Sequence, residues 1–177
     1  YSNRITIYAT RLSKHAMVSE KEIWKFLEEV FDPEVPVLTI VDLGVVRDVK
    51  ISDEKVFVTI TPTYSGCPAM KRIEDDIVEV LSEKGIKSIE VDLVLSPAWT
   101  TDWMTENGRQ KLLEYGIAPP QDDIDKSTLF AKPIIVPCPQ CKSKNTRLIS
   151  QFGSTACKAH YQCQVCLEPF DYFKCLR

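Results

Sequence analysis

The chain has 177 residues, 44% of them hydrophobic and 27% charged, with a net charge of −3, which is enough for one ordinary globular domain or one such domain plus a small module. That charge gives no general basic surface for nucleic acid or anionic membrane, and the longest apolar runs, such as VPVLTIV from Val35, are far too short to span a bilayer. With no charged-then-apolar leader pattern near Tyr1, the expected location is cytoplasmic.

Residues 1–18 read as an N-terminal extension. Ser19 and Glu22 then form a capping box, with Ile23, Leu27 and Val30 at helical spacing, and the helix should end at Phe31 because Asp32-Pro33 follows. EVPVLTIVDLG is an extended, turn-rich connector closed by Gly44. VVRDVKI (45–51) and KVFVTITP (55–62) are β-rich runs joined at Ser52-Asp53-Glu54, the pattern of a hairpin. A second helix should start at Pro68 and run to about Lys84, with an apolar stripe of Met70, Ile73, Ile77, Val80 and Leu81. KSIEVDLVL (87–95) is a third strand with Ile89, Val91, Leu93 and Leu95 on one face. Trp99, Trp103 and Met104 flank its exit as core or partner-facing anchors, and TENGRQKLLEY (105–115) carries a shorter helix. The order α-β-β-α-β-α over 19–115 describes an α+β domain, a small sheet packed with helices. The proline-rich, acidic stretch 116–133 reads as a linker, and 134–177 as a small all-β metal module.

Cysteine placement argues for metal or thiol chemistry over disulfide stapling. Of 7 cysteines, only Cys67 precedes residue 138. Cys138 and Cys141, then Cys163 and Cys166, are two Cys-x2-Cys knuckles that can close a tetrahedron around Zn²⁺, while an iron–sulfur cluster could use the same four thiolates. If the second knuckle closes a hairpin in which Cys163 pairs with Pro169, Cys157 falls opposite Cys175 and the two form a candidate second thiol pair; His160 lies on the other face.

Cys67 lies in TYSGCPAM, at the expected start of the second helix. As N-cap it would meet unpaired amides and the helix dipole, which lower a thiol pKa, and Gly66 leaves room beside the sulfur. Thr59, Thr61 and Thr63 alternate along the strand that leads to it. The carboxylates Asp32, Glu34 and Asp42 surround the connector, where they serve either a hard cation or turn and cap formation. The only histidines, His15 and His160, are poorly placed to act as a base for Cys67, and no phosphate loop, Glu-x-x-His motif or serine elbow is present. The chain therefore lacks most of what an autonomous enzyme needs.

DPEVPVLTIVDLGVVRDVKI followed by VTITPTYSGCP resembles the SufT-like domain of iron–sulfur assembly factors over about residues 19–100. Together with AWTTDWMTENGRQKLLEYGIAPP and FGSTACKAHYQCQVCLEPFDYFKC, it resembles the PaaD-like family, D subunits of the phenylacetyl-CoA ring-1,2-epoxidase system, from Met17 onward. The resemblance implies an accessory factor for the metal centres, iron–sulfur or di-iron, of a multicomponent monooxygenase in aerobic phenylacetate degradation. It implies that Cys67 is a thiolate for transient iron, a cluster or a client, with Asp32 and Glu34 in the accompanying acidic-proline signature. Expected partners are the oxygenase or reductase subunits or iron–sulfur assembly proteins, with a homodimer also open. Two other readings compete: a module that bridges oxygenase subunits without metal transfer, and a thiol-redox protein that uses Cys157 and Cys175.

Overall fold

The computed structural model describes residues 18–121 and 135–174. Helix α1 (Glu20–Leu27) opens on the expected capping box, in which the Glu22 amide donates to Ser19 Oγ at 3.3 Å and the Ser19 amide donates to the Glu22 carboxylate at 2.8 Å. It is shorter than its periodicity suggested, because the chain turns after Leu27 while Val30 still reaches the core. Strands β1 (Val46–Ser52) and β2 (Lys55–Ile60) form an antiparallel hairpin. Its two turn residues, Asp53 and Glu54, have φ of 49° and 63°, the left-handed pair that matches strand twist. The register slips between Val46 and Asp48, which makes Arg47 an extra residue and lets both Val46 and Val49 face the core.

Helix α2 (Ala69–Glu83) returns the chain so that β3 (Ile89–Leu93) pairs in parallel with β2, giving a sheet of order β1-β2-β3. Val56, Val58 and Ile60 meet Ile73, Ile77 and Leu81 in the core, and each such side chain contributes about 1.5–3 kcal/mol by leaving water. The expected apolar face of β3 is only half used. Ile89 and Val91 pack on the core, whereas Leu93 and Leu95 are 50% and 58% exposed, since β3 is an edge of the sheet and the described residues leave its far half largely uncovered.

A 3₁₀ turn (Thr101–Trp103) leads into α3 (Glu106–Tyr115), which is capped by Thr105 at its start and by left-handed Gly116 at its end. Gly108 brings α3 close to the β1 approach: a Cβ there would lie 2.9 Å from the Asp42 carbonyl oxygen. The second sheet comprises β4 (Thr146–Ser150), β5 (Lys158–Cys163) and β6 (Pro169–Phe173), all antiparallel in the order β4-β5-β6.

The start of the expected linker lies against the second sheet. The Ala118 amide donates to Asp171 O at 2.8 Å and its carbonyl accepts from the Phe173 amide at 3.0 Å, so this segment fills the open edge of β6. Phe173 in turn enters the core packed on the first sheet, edge-on to Trp99 with centroids 6.2 Å apart. No helix among the described residues is long and apolar enough to cross a membrane.

Candidate functional site

The two knuckles bring four sulfurs together at the end of the second sheet. Cys138 Sγ lies 3.7 Å from Cys166 Sγ, Cys141 Sγ lies 3.5 Å from Cys163 Sγ, and all four fall within 4.8 Å of one another. Tetrahedral coordination with metal–sulfur bonds of about 2.3 Å requires sulfurs about 3.8 Å apart, so the group fits one ion. Both knuckles are built alike. The residue after the second cysteine, Lys142 or Leu167, takes a left-handed φ of 63° or 66°, which wraps the backbone around the sulfurs. Amides of Cys166 and Val165 point at Cys163 Sγ and lower its pKa to about 6. The Glu168 amide acts in the same direction on Cys166, but burial and the neighbouring sulfurs push that thiol up to about 12. Four sulfurs at this spacing are a donor set for one cation, which binds them as thiolates.

The second cluster lies where the loop after α1 meets the second sheet. Asp32 Oδ1 accepts from the amides of Glu34 and Val35 at 2.8 and 2.7 Å, which folds the Asp32-Pro33-Glu34 loop and fixes Glu34. The Glu34 carbonyl accepts from Lys158 Nζ at 3.2 Å, and its carboxylate accepts from Cys157 Sγ at 3.6 Å. Cys157 is buried, with the Thr155 hydroxyl 3.0 Å from its sulfur. Burial pushes its pKa up to about 12, and the Glu34 charge adds to that rise.

Cys67 faces the same carboxylates but not in the way the helix start suggested. Helix α2 begins at Ala69, and Pro68 takes the cap position, so Cys67 stands one residue outside it. Its pKa is raised rather than lowered. Half-burial dominates and the charges of Glu34 and Asp32 add to it, outweighing the Ala69 amide and the Tyr64 hydroxyl, both of which favour the thiolate. Gly66 has φ of 83°, a conformation that favours glycine, and the space where its side chain would project is open. Along the strand leading to this loop, Thr61 is buried and its hydroxyl has no hydrogen-bond partner.

The remaining candidates separate from this cluster. Asp42 accepts from Lys111 Nζ, Asn107 Nδ2 and Thr105 Oγ1 at 2.6, 2.9 and 3.0 Å, which ties the connector to α3. The Cys157–Cys175 register is corrected by one residue. The knuckle hairpin closes with Cys163 bonded to Glu168, not Pro169, so Lys174 stands beside Cys157 and its amide donates to Cys157 O at 2.8 Å. Cys175 itself lies outside the described residues, as do His15 and residues 1–17. His160 pairs with Asp171 at 3.1 Å. Tyr64, Thr155 and Lys158 were not singled out from sequence, since nothing local marks them as neighbours of Glu34 or Cys67.

Two family models match the two halves. Residues 20–93 match the iron–sulfur cluster assembly protein family, and residues 122–174 match the PaaD zinc beta ribbon domain. A protein of Escherichia coli strain K12, named as the D subunit of a 1,2-phenylacetyl-CoA epoxidase, is 51% identical over 166 residues, covering 94% of this chain and 99% of its own. An Fe-S protein maturation auxiliary factor of Porphyromonas gingivalis is 36% identical over 107 residues, 59% of this chain and 98% of its own. The crystal structure of a DUF59 domain from Bacillus anthracis superposes with a TM-score of 0.50 at 34% identity, covering 52% of this chain and 90% of its own. An iron–sulfur assembly domain and a four-thiol ribbon thus occur in one chain that matches its E. coli relative nearly end to end, and the chain belongs to the PaaD family of 1,2-phenylacetyl-CoA epoxidase D subunits.

Proposed function

We propose that this protein is a cytoplasmic maturation factor for the metal centres of a phenylacetyl-CoA epoxidase, either iron–sulfur or di-iron, with its client among the oxygenase or reductase subunits. The observation that carries this reading is the loop cluster of Cys67, Glu34 and Asp32, set in a domain matched by the iron–sulfur assembly family. Iron or a cluster is the cargo, and Cys67 is the thiolate that takes it. One cysteine holds a cluster far less firmly than the usual four, which suits a carrier that must release what it binds. In the ribbon, zinc is the metal that best fits four thiolates at tetrahedral spacing, and its contribution is to hold that module folded.

The test replaces wild-type protein with Cys67→Ser in cells that make the epoxidase, then measures iron and acid-labile sulfide in the purified subunits. Loss of client metal with subunit association intact is expected. Fully loaded subunits would refute metal delivery and favour the bridging or thiol-redox reading.

A further inference from the structure

We propose that the ribbon supplies a ligand to the cargo site, so that Cys157, Glu34 and Cys67 together bind one thiophilic divalent ion across the domain boundary. This rests on the reading of Cys67 as an iron ligand given above. The first observation is distance. Cys157 Sγ and the Glu34 carboxylate are 3.6 Å apart. Two donors on one tetrahedral ion, with bonds of about 2.3 Å to sulfur and 2.0 Å to oxygen, stand about 3.5 Å apart. The pair therefore already has the spacing of a chelate.

The second observation is the way the ribbon is held against the loop. Lys158, adjacent to Cys157, donates to the Glu34 carbonyl, and the Lys174 amide, just past β6, donates to the Cys157 carbonyl. Phe173, next along β6, is seated against Trp99. These contacts place a thiol from residue 157 beside a carboxylate from residue 34. If Cys157 served only as a small apolar filler, its sulfur would not need a carboxylate at 3.6 Å and a hydroxyl at 3.0 Å.

The third is the position of Cys67. It packs against the same core cluster that contains Cys157, and the Glu34 charge acts on both thiols. Among the described residues, the four ribbon thiols are the one group of three or more donors that already converges within one ion's reach, so in the second set Cys157 and Glu34 stand at chelate spacing and Cys67 has still to be drawn in. Binding completes the set by bringing in the partly buried Cys67 beside the open space at Gly66, and each thiol gives its proton to solvent. Two thiolates and a carboxylate leave one position for a ligand from the client, which is the opening a hand-off needs.

The experiment titrates Co²⁺ into the full-length, zinc-loaded protein under anaerobic conditions and reads thiolate-to-cobalt charge transfer, with zinc content measured before and after. Wild type is expected to bind one further ion with a two-thiolate band. Cys157→Ser and Cys157→Ala should each halve that band and weaken binding by about tenfold or more, since even outer partners of a metal site cost 10–100-fold. Glu34→Gln should weaken binding and leave the two-thiolate band. Wild-type binding by both Cys157 variants, each folded with zinc retained, overturns the inference, and so does a loss seen only with Cys175→Ser. Loss with Cys67→Ser alone would refute the ribbon's part and leave Cys67 as the ligand, whereas unchanged binding with Cys67→Ser would refute the reading on which it rests.

Discussion

Replacing Phe173 with alanine should undock the ribbon from the α+β domain. The ring is 1% exposed and stands edge-on to Trp99 at an interplanar angle of 84°. Trp99 cannot follow it, because its indole N–H is held by the Leu43 carbonyl at 2.9 Å. Loss of a fully buried phenylalanine costs about 3–5 kcal/mol through lost transfer energy and the cavity left behind. Of this, about 0.5–1.5 kcal/mol belongs to the ring pair. The Phe173 amide bond to Ala118 is a main-chain contact and should persist, and the four-thiol site is built only from the knuckles, so the ribbon should keep its metal. Urea unfolding followed by tryptophan emission would measure the change, with metal content as the control. A shift equivalent to less than about 1 kcal/mol with unaltered emission would mean that Phe173 does not seat against Trp99, and the placement of Cys157 beside Glu34 would fall with it.

The other predictions concern the scaffold of the loop cluster. Gly44 has φ of 67°, and a Cβ there would sit 2.2 Å from the Trp103 carbonyl oxygen. Gly44→Ala should therefore cost more than about 2 kcal/mol in thermal or chemical unfolding, and a neutral result would contradict the close approach. Asp42 and Asp32 should give pH dependences of opposite sign. For Asp42, burial is outweighed by Lys111, Asn107, Thr105 and the Thr39 amide, so its pKa lies below the ordinary 3.8. Its contribution to stability is complete above 3.8 and is lost as pH falls through the folded value, and Asp42→Asn should flatten that acid limb. Burial raises Asp32 above 3.8, so its ionised form costs stability that is regained as pH falls. Asp32→Asn, whose amide oxygen can still accept from Glu34 and Val35, should raise stability at neutral pH, and a fall there would refute the sign.

The features legible in sequence were those set by neighbours a few residues apart. The Ser19–Glu22 cap, the Asp53-Glu54 turn, the helix at 105–115 and the two knuckles all follow from local hydrogen bonding and backbone preference. What escaped depends on distant chain. The pKa direction at Cys67 reverses because the loop at 32–34 brings carboxylates and burial that no local pattern encodes. The partner of Cys157 depended on where the hairpin closes, and one residue of register moved Lys174 into the place assigned to Cys175. Leu93 and Leu95 alternate as a buried strand would, yet at the sheet edge no described residue completes their cover. The stretch 116–121 has linker composition, but backbone groups at 118 are paired by β6 regardless of side chain.

Metal transfer tests the central claim most directly. Full-length protein would be loaded anaerobically with iron and sulfide, separated from excess, and mixed with each apo-subunit of the epoxidase, after which iron is measured in the reisolated subunit. The account predicts that iron moves from the wild-type chain into one subunit and that Cys67→Ser, with its ribbon metal intact, delivers none. Equal delivery by the two proteins, or none by either, would contradict it.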